Sequence, residues 1–294
     1  MQQLSHPLRM MPALALLAFE IAAQTPPQTF QAKLAALEAR HGGRLGVAVV
    51  ESSSHRRLSY RGAERFALCS TFKVALVAAV LARVDAGTET LDRRIPFGPK
   101  DLLEYAPVTR ARVAEGSLTV AELCTAALEQ SDNTAANLLL QSLKGPGAVT
   151  AFLRSLGDPV TRLDRNEPAL NSNRPGDERD TTSPDAMLES LRKLLLEPVL
   201  FPTSRQFLQI HLKASETGKG RLRAGLPATW VAGDKSGTGD HGATNDIAVL
   251  WPPGRAPIFV TAYYSESKAT DPEREAVLAE VGALVAAEFA VASW

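Results

Sequence analysis

The 294-residue chain contains only two cysteines, Cys69 and Cys124. They are too few for a disulfide scaffold, and they form no C-x-x-C pair of the kind that holds a metal or exchanges electrons. The five histidines, His6, His41, His55, His211 and His241, are scattered without an H-x-x-x-H pair, so nothing calls for a zinc centre or any other metal. Charge of one sign is also missing: 32 basic and 32 acidic residues cancel, and no global field favours nucleic acid or an anionic membrane. Beyond the N-terminal segment no stretch approaches the roughly 18 uncharged apolar residues that span a bilayer. The expected mature protein is a soluble monomer without a membrane span that acts on a small molecule and uses no cofactor.

What is present is enough apolar sequence, 45%, for one large domain or two lobes. Residues 1–23 read as an export signal: Arg9 supplies the positive region, Met10 to Ala18 the apolar run and Ile21-Ala22-Ala23 a small-residue cleavage site. This implies secretion, into the periplasm in a Gram-negative cell. Apolar periodicity predicts a first helix over Phe30 to Arg40, stopped by Gly42-Gly43. A hairpin of Leu45 to Val50 and Arg57 to Arg61 follows. Strand signals return at Thr229 to Ala232, Thr244 to Trp251 and Ile258 to Tyr264.

The intervening chain reads as almost wholly helical, with helices at Ser70 to Asp85, Thr119 to Glu129, Thr134 to Leu143 and Ser183 to Leu195, and a last helix from Pro272 to Phe289. Thr119 and Glu122 form a capping-box pattern. Neither strand group has enough partners alone, so the economical arrangement is a single antiparallel five-stranded sheet flanked by helices, an α/β (α+β) fold with an inserted all-α lobe. The sheet lobe then takes about 24–63 and 216–294, and the α-lobe about 64–215, within one domain over 24–294.

Chemistry concentrates in four segments. Ser70-Thr71-Phe72-Lys73 opens an apolar helix, and the i, i+3 spacing puts a hydroxyl and an amine on one face of its positive end. Alone, this could equally be an N-cap and a solvated lysine. Ser131-Asp132-Asn133 lies between two helical runs, where it could be only a helix-breaking turn. Lys235-Ser236-Gly237-Thr238-Gly239 ends a strand with glycines that let a ligand approach the backbone. Glu167 and Asn171, four residues apart on a long loop, can together hold and aim one water at an ester.

In this order and spacing, S-x-x-K, S-D-N and K-[ST]-G resemble the signature of the penicilloyl-serine transferases. Glu167-Pro168-Ala169-Leu170-Asn171 resembles the E-x-x-L-N loop of class A serine β-lactamases within that superfamily. The resemblance covers nearly the whole mature chain. It implies a β-lactamase/transpeptidase-like fold and hydrolysis of penicillin- and cephalosporin-type β-lactams, which confers antibiotic resistance.

By the same resemblance Ser70 is the nucleophile, Lys73 and Glu167 share the proton chemistry of acylation, and Glu167 with Asn171 directs the deacylating water. Ser131 relays a proton to the β-lactam nitrogen, and the backbone N–H groups of Ser70 and Thr238 form the oxyanion hole. Asn133 holds the side-chain amide, while Lys235, Ser236 and Thr238 bind the substrate carboxylate and Tyr105 walls the mouth. The stretch Arg162 to Asp180 resembles the family's Ω loop, with ion pairs expected between Arg165 and Asp180 and between Asp164 and Arg179 and a cis peptide expected at Glu167-Pro168.

Three departures stand out. The strand arginine that many members place after K-[ST]-G is Thr244 here; Arg221 matches an alternative source of that guanidinium, and Glu275 falls at a second alternative position. Cys124 faces Val77 where a bridging cysteine is usual, and Cys69 matches a cysteine whose partner position in carbapenem-hydrolysing members is Gly239 here. Both thiols are therefore expected to be free, and carbapenem hydrolysis is put in question. The rival readings are a DD-peptidase, which lacks a dedicated deacylation loop, and a β-lactam sensor, which needs a membrane-spanning segment and an impaired water site.

Overall fold

The structure is a computed structural model that describes residues 28–290; the export segment expected at residues 1–23 lies outside the described residues. Helix α1 (Phe30–His41) starts where the Thr29 hydroxyl accepts the Ala32 N–H and ends at Gly42, whose φ of 69° few other residues adopt readily. Strands β1 (Arg44–Glu51) and β2 (Arg57–Tyr60) form the expected hairpin, and β3 (Phe66–Ala67) leads into α2 (Phe72–Asp85). The middle of the chain contains β4 (Arg94–Pro96), α3 (Pro107–Ala111), β5 (Ser117–Thr119), α4 (Val120–Glu129), α5 (Asn133–Ser142), α6 (Gly147–Ser155), β6 (Thr181–Thr182), α7 (Pro184–Leu196) and α8 (Pro202–Lys213). Strands β7 (Val231–Thr238), β8 (Thr244–Trp251) and β9 (Ile258–Ser265) and helix α9 (Asp271–Ala290) complete it.

The main sheet is five-stranded and antiparallel, in the order β2-β1-β9-β8-β7. Successive side chains of a strand point to opposite faces, and here both faces are apolar. Val47 and Val49 join one core with Phe30 and Leu34 of α1 and Val281 and Val285 of α9. Ala48 and Val50 join the other, larger core with α7 and the middle helices. Every residue of α2 from Phe72 to Leu81 is buried, so this helix is the axis of that core. The capping box of α4 is closed in both directions: Glu122 N–H donates to the Thr119 hydroxyl at 3.1 Å, and Thr119 N–H to the Glu122 carboxylate at 2.8 Å.

Three expectations need correction. The middle of the chain is not almost wholly helical, because β3 pairs with β6 and β4 with β5; ladders of two or three residues are too short to carry a period. The strand signal at Thr229 to Ala232 and the strand end at Lys235 to Gly239 belong to one strand, β7, which begins at Val231 and runs unbroken to Thr238; Gly233, Gly237 and buried polar residues hide its continuity. Helix α2 begins at Phe72 after a 3₁₀ turn over Cys69–Thr71, so Ser70 is not its N-cap.

Candidate active site

The site lies where the edge strand β7 meets the start of α2. Gly237 makes this approach possible: a Cβ there would lie 3.1 Å from Ser70 N and from Cys69 Cβ. Asn245 of β8 reinforces it by donating its side-chain amide to Ala67 O at 2.9 Å and Leu68 O at 3.3 Å. Cys69 has φ 44° and Ser131 φ 55°, so backbone in a sparsely populated region precedes one hydroxyl and carries the other. Asp132 caps α5 through Ala135 N–H at 2.8 Å and also accepts Thr109 N–H at 2.8 Å, which ties the Ser131 turn to α3.

A cleft of about 470 Å³ opens between these elements, and Ser70, Tyr105, Ser131, Asn133, Asn171, Arg221, Ser236 and Thr238 line it. Lys73, Glu167 and Lys235 lie behind its wall, almost fully buried. Lys73 Nζ donates to Ser70 Oγ at 2.9 Å, Ser131 O at 2.8 Å and Asn133 Oδ1 at 2.6 Å, and lies 3.2 Å from Glu167 Oε1. Burial pulls this amine below the ordinary lysine range, while the Glu167 charge pulls it back. Ser70 Oγ is 3.4 Å from Glu167 Oε1, so a carboxylate and an amine whose proton burial loosens both stand beside one hydroxyl.

Ser131 Oγ is 3.2 Å from Lys73 Nζ and 2.9 Å from Lys235 Nζ. A lysine ammonium only donates, so the Ser131 oxygen accepts and its own hydrogen is free to point into the cleft. Burial and the nearby Lys73 charge hold Lys235 well below its usual range, and an incoming carboxylate would shift it back up. The Arg221 guanidinium donates to Gly237 O, Asn245 O and Thr238 Oγ1, each at 2.7 Å. Arg221 therefore acts on the cleft through the Thr238 hydroxyl, whose hydrogen is left for a ligand.

Glu167 is carried by irregular chain, with the cis peptide at Glu167-Pro168 in place. Asn171 Nδ2 donates to Glu167 Oε2 at 2.6 Å, while Asn171 Oδ1 accepts no hydrogen bond from protein among the described residues. Arg165 pairs with the fully buried Asp180 as expected, and Asp180 Oδ1 also accepts the N–H groups of Asp164 and Arg165. The expected Asp164–Arg179 pair is absent. Asp164 binds Arg162 at 2.7 Å and Arg179 binds Asp177 at 2.8 Å, partners two residues away that cost less chain ordering; across the loop base the Asp164 carboxylate accepts the Asp180 N–H at 3.1 Å, returning the bond that the Asp164 N–H makes to Asp180 Oδ1.

Several contributing residues were not predicted. Asn137 of α5 accepts Glu167 N–H at 3.0 Å and donates to Glu167 O at 2.9 Å; its spacing of four from Asn133 on one helix was the available signal. Thr217 shares a 2.7 Å hydrogen bond with the Ser236 hydroxyl. Arg274 donates to Thr244 Oγ1 at 2.9 Å, bringing a guanidinium to the position where the strand arginine is missing. Glu275, noted for its position alone, lies 3.2 Å from Arg221 Nε. Cys69 and Cys124 are both free and buried, with the Cys69 thiol pushed up to about 12 by burial. A Cβ on Gly239 would sit 2.7 Å from Cys69 Sγ. Among the described residues no cluster of side chains could hold a metal ion, and no helix is long and apolar enough to cross a membrane.

A cleft serine hydroxyl flanked by a buried lysine, a second serine and a loop carboxylate is an arrangement suited to serine acyl transfer. Comparison with known proteins narrows the class. The profile of the β-lactamase enzyme family matches residues 29–289. The chain is 48% identical to β-lactamase CTX-M-8 of Citrobacter amalonaticus over 255 residues, 87% of each chain. It is 49% identical to β-lactamase OXY-1 of Klebsiella oxytoca, again over 87% of each. Among solved structures it is similar to an ancestral Gram-negative class A β-lactamase, with TM-score 0.87 and 62% identity over 89% of this chain and all of that one. A putative class A β-lactamase from Rhodopseudomonas palustris gives 0.86 and 52%, covering 88% of this chain and 99% of that one. The chain belongs to the β-lactamase family as a class A serine enzyme, a hydrolase of β-lactam antibiotics.

Proposed function

We propose that the hydrolysis proceeds through an ester on Ser70 and that Glu167 activates the water that clears it. Ser70 Oγ attacks the β-lactam carbonyl carbon and gives its proton to one of the two adjacent bases, Lys73 or Glu167. The backbone N–H groups of Ser70 and Thr238 receive the oxyanion. The ring C–N bond breaks as Ser131 protonates the nitrogen, its proton replenished along Lys73 and Lys235. Lys235, Ser236 and Thr238 hold the substrate carboxylate, with Arg221 acting through Thr238; Asn133 holds the side-chain amide and Tyr105 walls the mouth.

In the second half, Glu167 takes a proton from water as its oxygen attacks the ester, and Ser70 leaves with that proton. The carrying observation is the pair formed by the Glu167 carboxylate, 3.4 Å from Ser70 Oγ, and the buried Asn171 oxygen that no protein donor uses. Together they suit one water aimed at an ester on Ser70. Such a pair favours turnover over the DD-peptidase and sensor readings.

Glu167→Ala is expected to react with a good penicillin yet lose deacylation by at least about 10³-fold, leaving a mass increase on Ser70 equal to the drug. Ser70→Ala should show no adduct. Turnover of Glu167→Ala at the wild-type rate would sink this assignment.

The reading extends to organisation. The chain is proposed to act as a monomer. It is made with the export signal of residues 1–23 and secreted, into the periplasm of a Gram-negative host. The mature domain of 24–294 divides into a sheet lobe, about 24–63 and 216–294, and an α-lobe, about 64–215, with the cleft at their boundary.

A further inference from the structure

The end of the cleft that takes the substrate carboxylate is bordered by the first turns of α9, where Asp271 and Glu275 join Thr217 and Arg221 in the lining. The cations near this wall are already engaged. Arg221 is 5% exposed, and its two terminal nitrogens serve Gly237 O, Asn245 O and Thr238 Oγ1, leaving only Nε toward Glu275 Oε1 at 3.2 Å. Arg274 is spent on Thr244, Ala269 O and Asp271. Glu275 Oε2 receives no hydrogen bond from protein among the described residues, and the side chain keeps 35% of its surface exposed. The charged groups this wall exposes are therefore carboxylates, each with a largely buried guanidinium behind it, beside a subsite that must hold an anion.

We propose that Glu275 is a specificity-determining residue that favours β-lactams carrying a cationic substituent on the ring carbon next to the carboxylate-bearing carbon. The proposal rests on the placement of the substrate carboxylate at Lys235, Ser236 and Thr238. In a six-membered-ring β-lactam the carboxylate-bearing carbon has two ring neighbours. One is the nitrogen, which must face Ser131 to be protonated. The other then faces away from Ser131, toward the side lined by Thr217, Asp271 and Glu275, and its substituent leaves the cleft along that wall. A neutral substituent gains nothing there, and the substrate carboxylate is mildly repelled. A cationic one meets an accessible carboxylate within the range where charges in a partly wet cleft still interact.

The test uses two cephalosporins that share a thienylacetamido side chain and differ only at the C3 methylene, acetoxy in one and pyridinium in the other. The readout is the ratio of kcat/KM for pyridinium over acetoxy. Because each substrate is its own reference, effects of leaving-group chemistry and of Arg221 positioning cancel between enzymes. Glu275→Gln is expected to lower this ratio about 3- to 10-fold, mostly through KM, the size of one partly screened charge pair. Glu275→Asp, which keeps the charge, should retain most of it. In the unmodified enzyme the ratio should also fall between 0.05 and 0.5 M NaCl, a measurement that needs no variant. A ratio that is unchanged in Glu275→Gln, or indifferent to salt in the unmodified enzyme, would overturn the proposal. Failure of the unmodified enzyme to hydrolyse either drug would overturn the functional reading itself, and the proposal with it.

Discussion

The two halves of the proposed reaction fall on parts of the molecule built on different physics. Ser70 and Lys73 sit at the head of a helix with ten consecutive buried residues, fixed by packing on all sides. Glu167 itself sits in irregular chain between two core anchors, Leu163 and Leu170, and its own position is set by individual hydrogen bonds: those of Asn137 and Asn171, with the Arg165–Asp180 pair beside them. A packed helix is hard to move without unfolding the lobe around it, whereas a hydrogen-bonded loop can lose its register while the rest stays folded. Deacylation should therefore be able to fail alone, whereas damage to the packed helix takes both half-reactions with it.

The largest effect should come from the packed side. Leu76→Ala opens a cavity at a fully buried position of α2 and should cost roughly 2–5 kcal/mol, lowering Tm by roughly 5–15 °C. Both half-reactions of the folded fraction should fall together, so no adduct accumulates in a single-turnover experiment. If an acyl-enzyme did build up, the contrast between packing and loop would be wrong.

Asn137→Ala addresses the other side. It removes both bonds that hold the Glu167 backbone while leaving Lys73 and Ser70 in contact, so deacylation should slow about 10²-fold with acylation nearly unchanged. Equal losses in burst and steady-state rates would show that Asn137 supports the whole site and not the loop.

The contrast also extends to pH. In Glu167→Gln the base left within reach of Ser70 is Lys73, whose amine burial already holds low. The lost carboxylate was the influence raising it, so its value must fall further. The acylation rate of this variant should rise through a half-point well below the usual lysine value of about 10.4. A half-point near that value, read by stopped flow with a chromogenic cephalosporin, would remove Lys73 as the base.

Arg179→Ala should do least. Its pair with Asp177 is exposed and local, so stability should move by no more than about 0.5 kcal/mol and deacylation not at all. A slowing of deacylation beyond about 5-fold would mean that the loop base needs this arginine after all.

The same division explains what could be read from the chain in advance. Features with a fixed local period, composition or spacing are legible: the α1 stop at Gly42, the Thr119–Glu122 box, the apolar runs of β1 and β9, and the serine, lysine and glutamate of the motifs. Partner choice in irregular chain is not. Asp164 and Arg179 each face several opposite charges, and the sequence does not reveal that both take neighbours two positions away. The continuity of β7 is not legible, because the buried polar residues Asp234, Lys235 and Ser236 break the apolar pattern between its start and its end. Arg274 was missed because its guanidinium reaches Thr244 from an element 30 residues further along the chain, a proximity only the fold creates.

The position of β9 has a consequence for how the molecule comes into being. It is the last strand in the chain yet the middle strand of the sheet, with Arg44 facing Ser265 on one side and Thr244 facing Tyr264 on the other. During synthesis the β1–β2 hairpin and the β7–β8 pair emerge as two fragments with no common edge, and neither buries its apolar faces until β9 enters between them. Closure of such a long loop is slow, and a two-stranded piece is at best marginally stable alone. The sheet is therefore assembled only after almost the whole chain has left the ribosome, which keeps the growing polypeptide pliable until its final residues arrive.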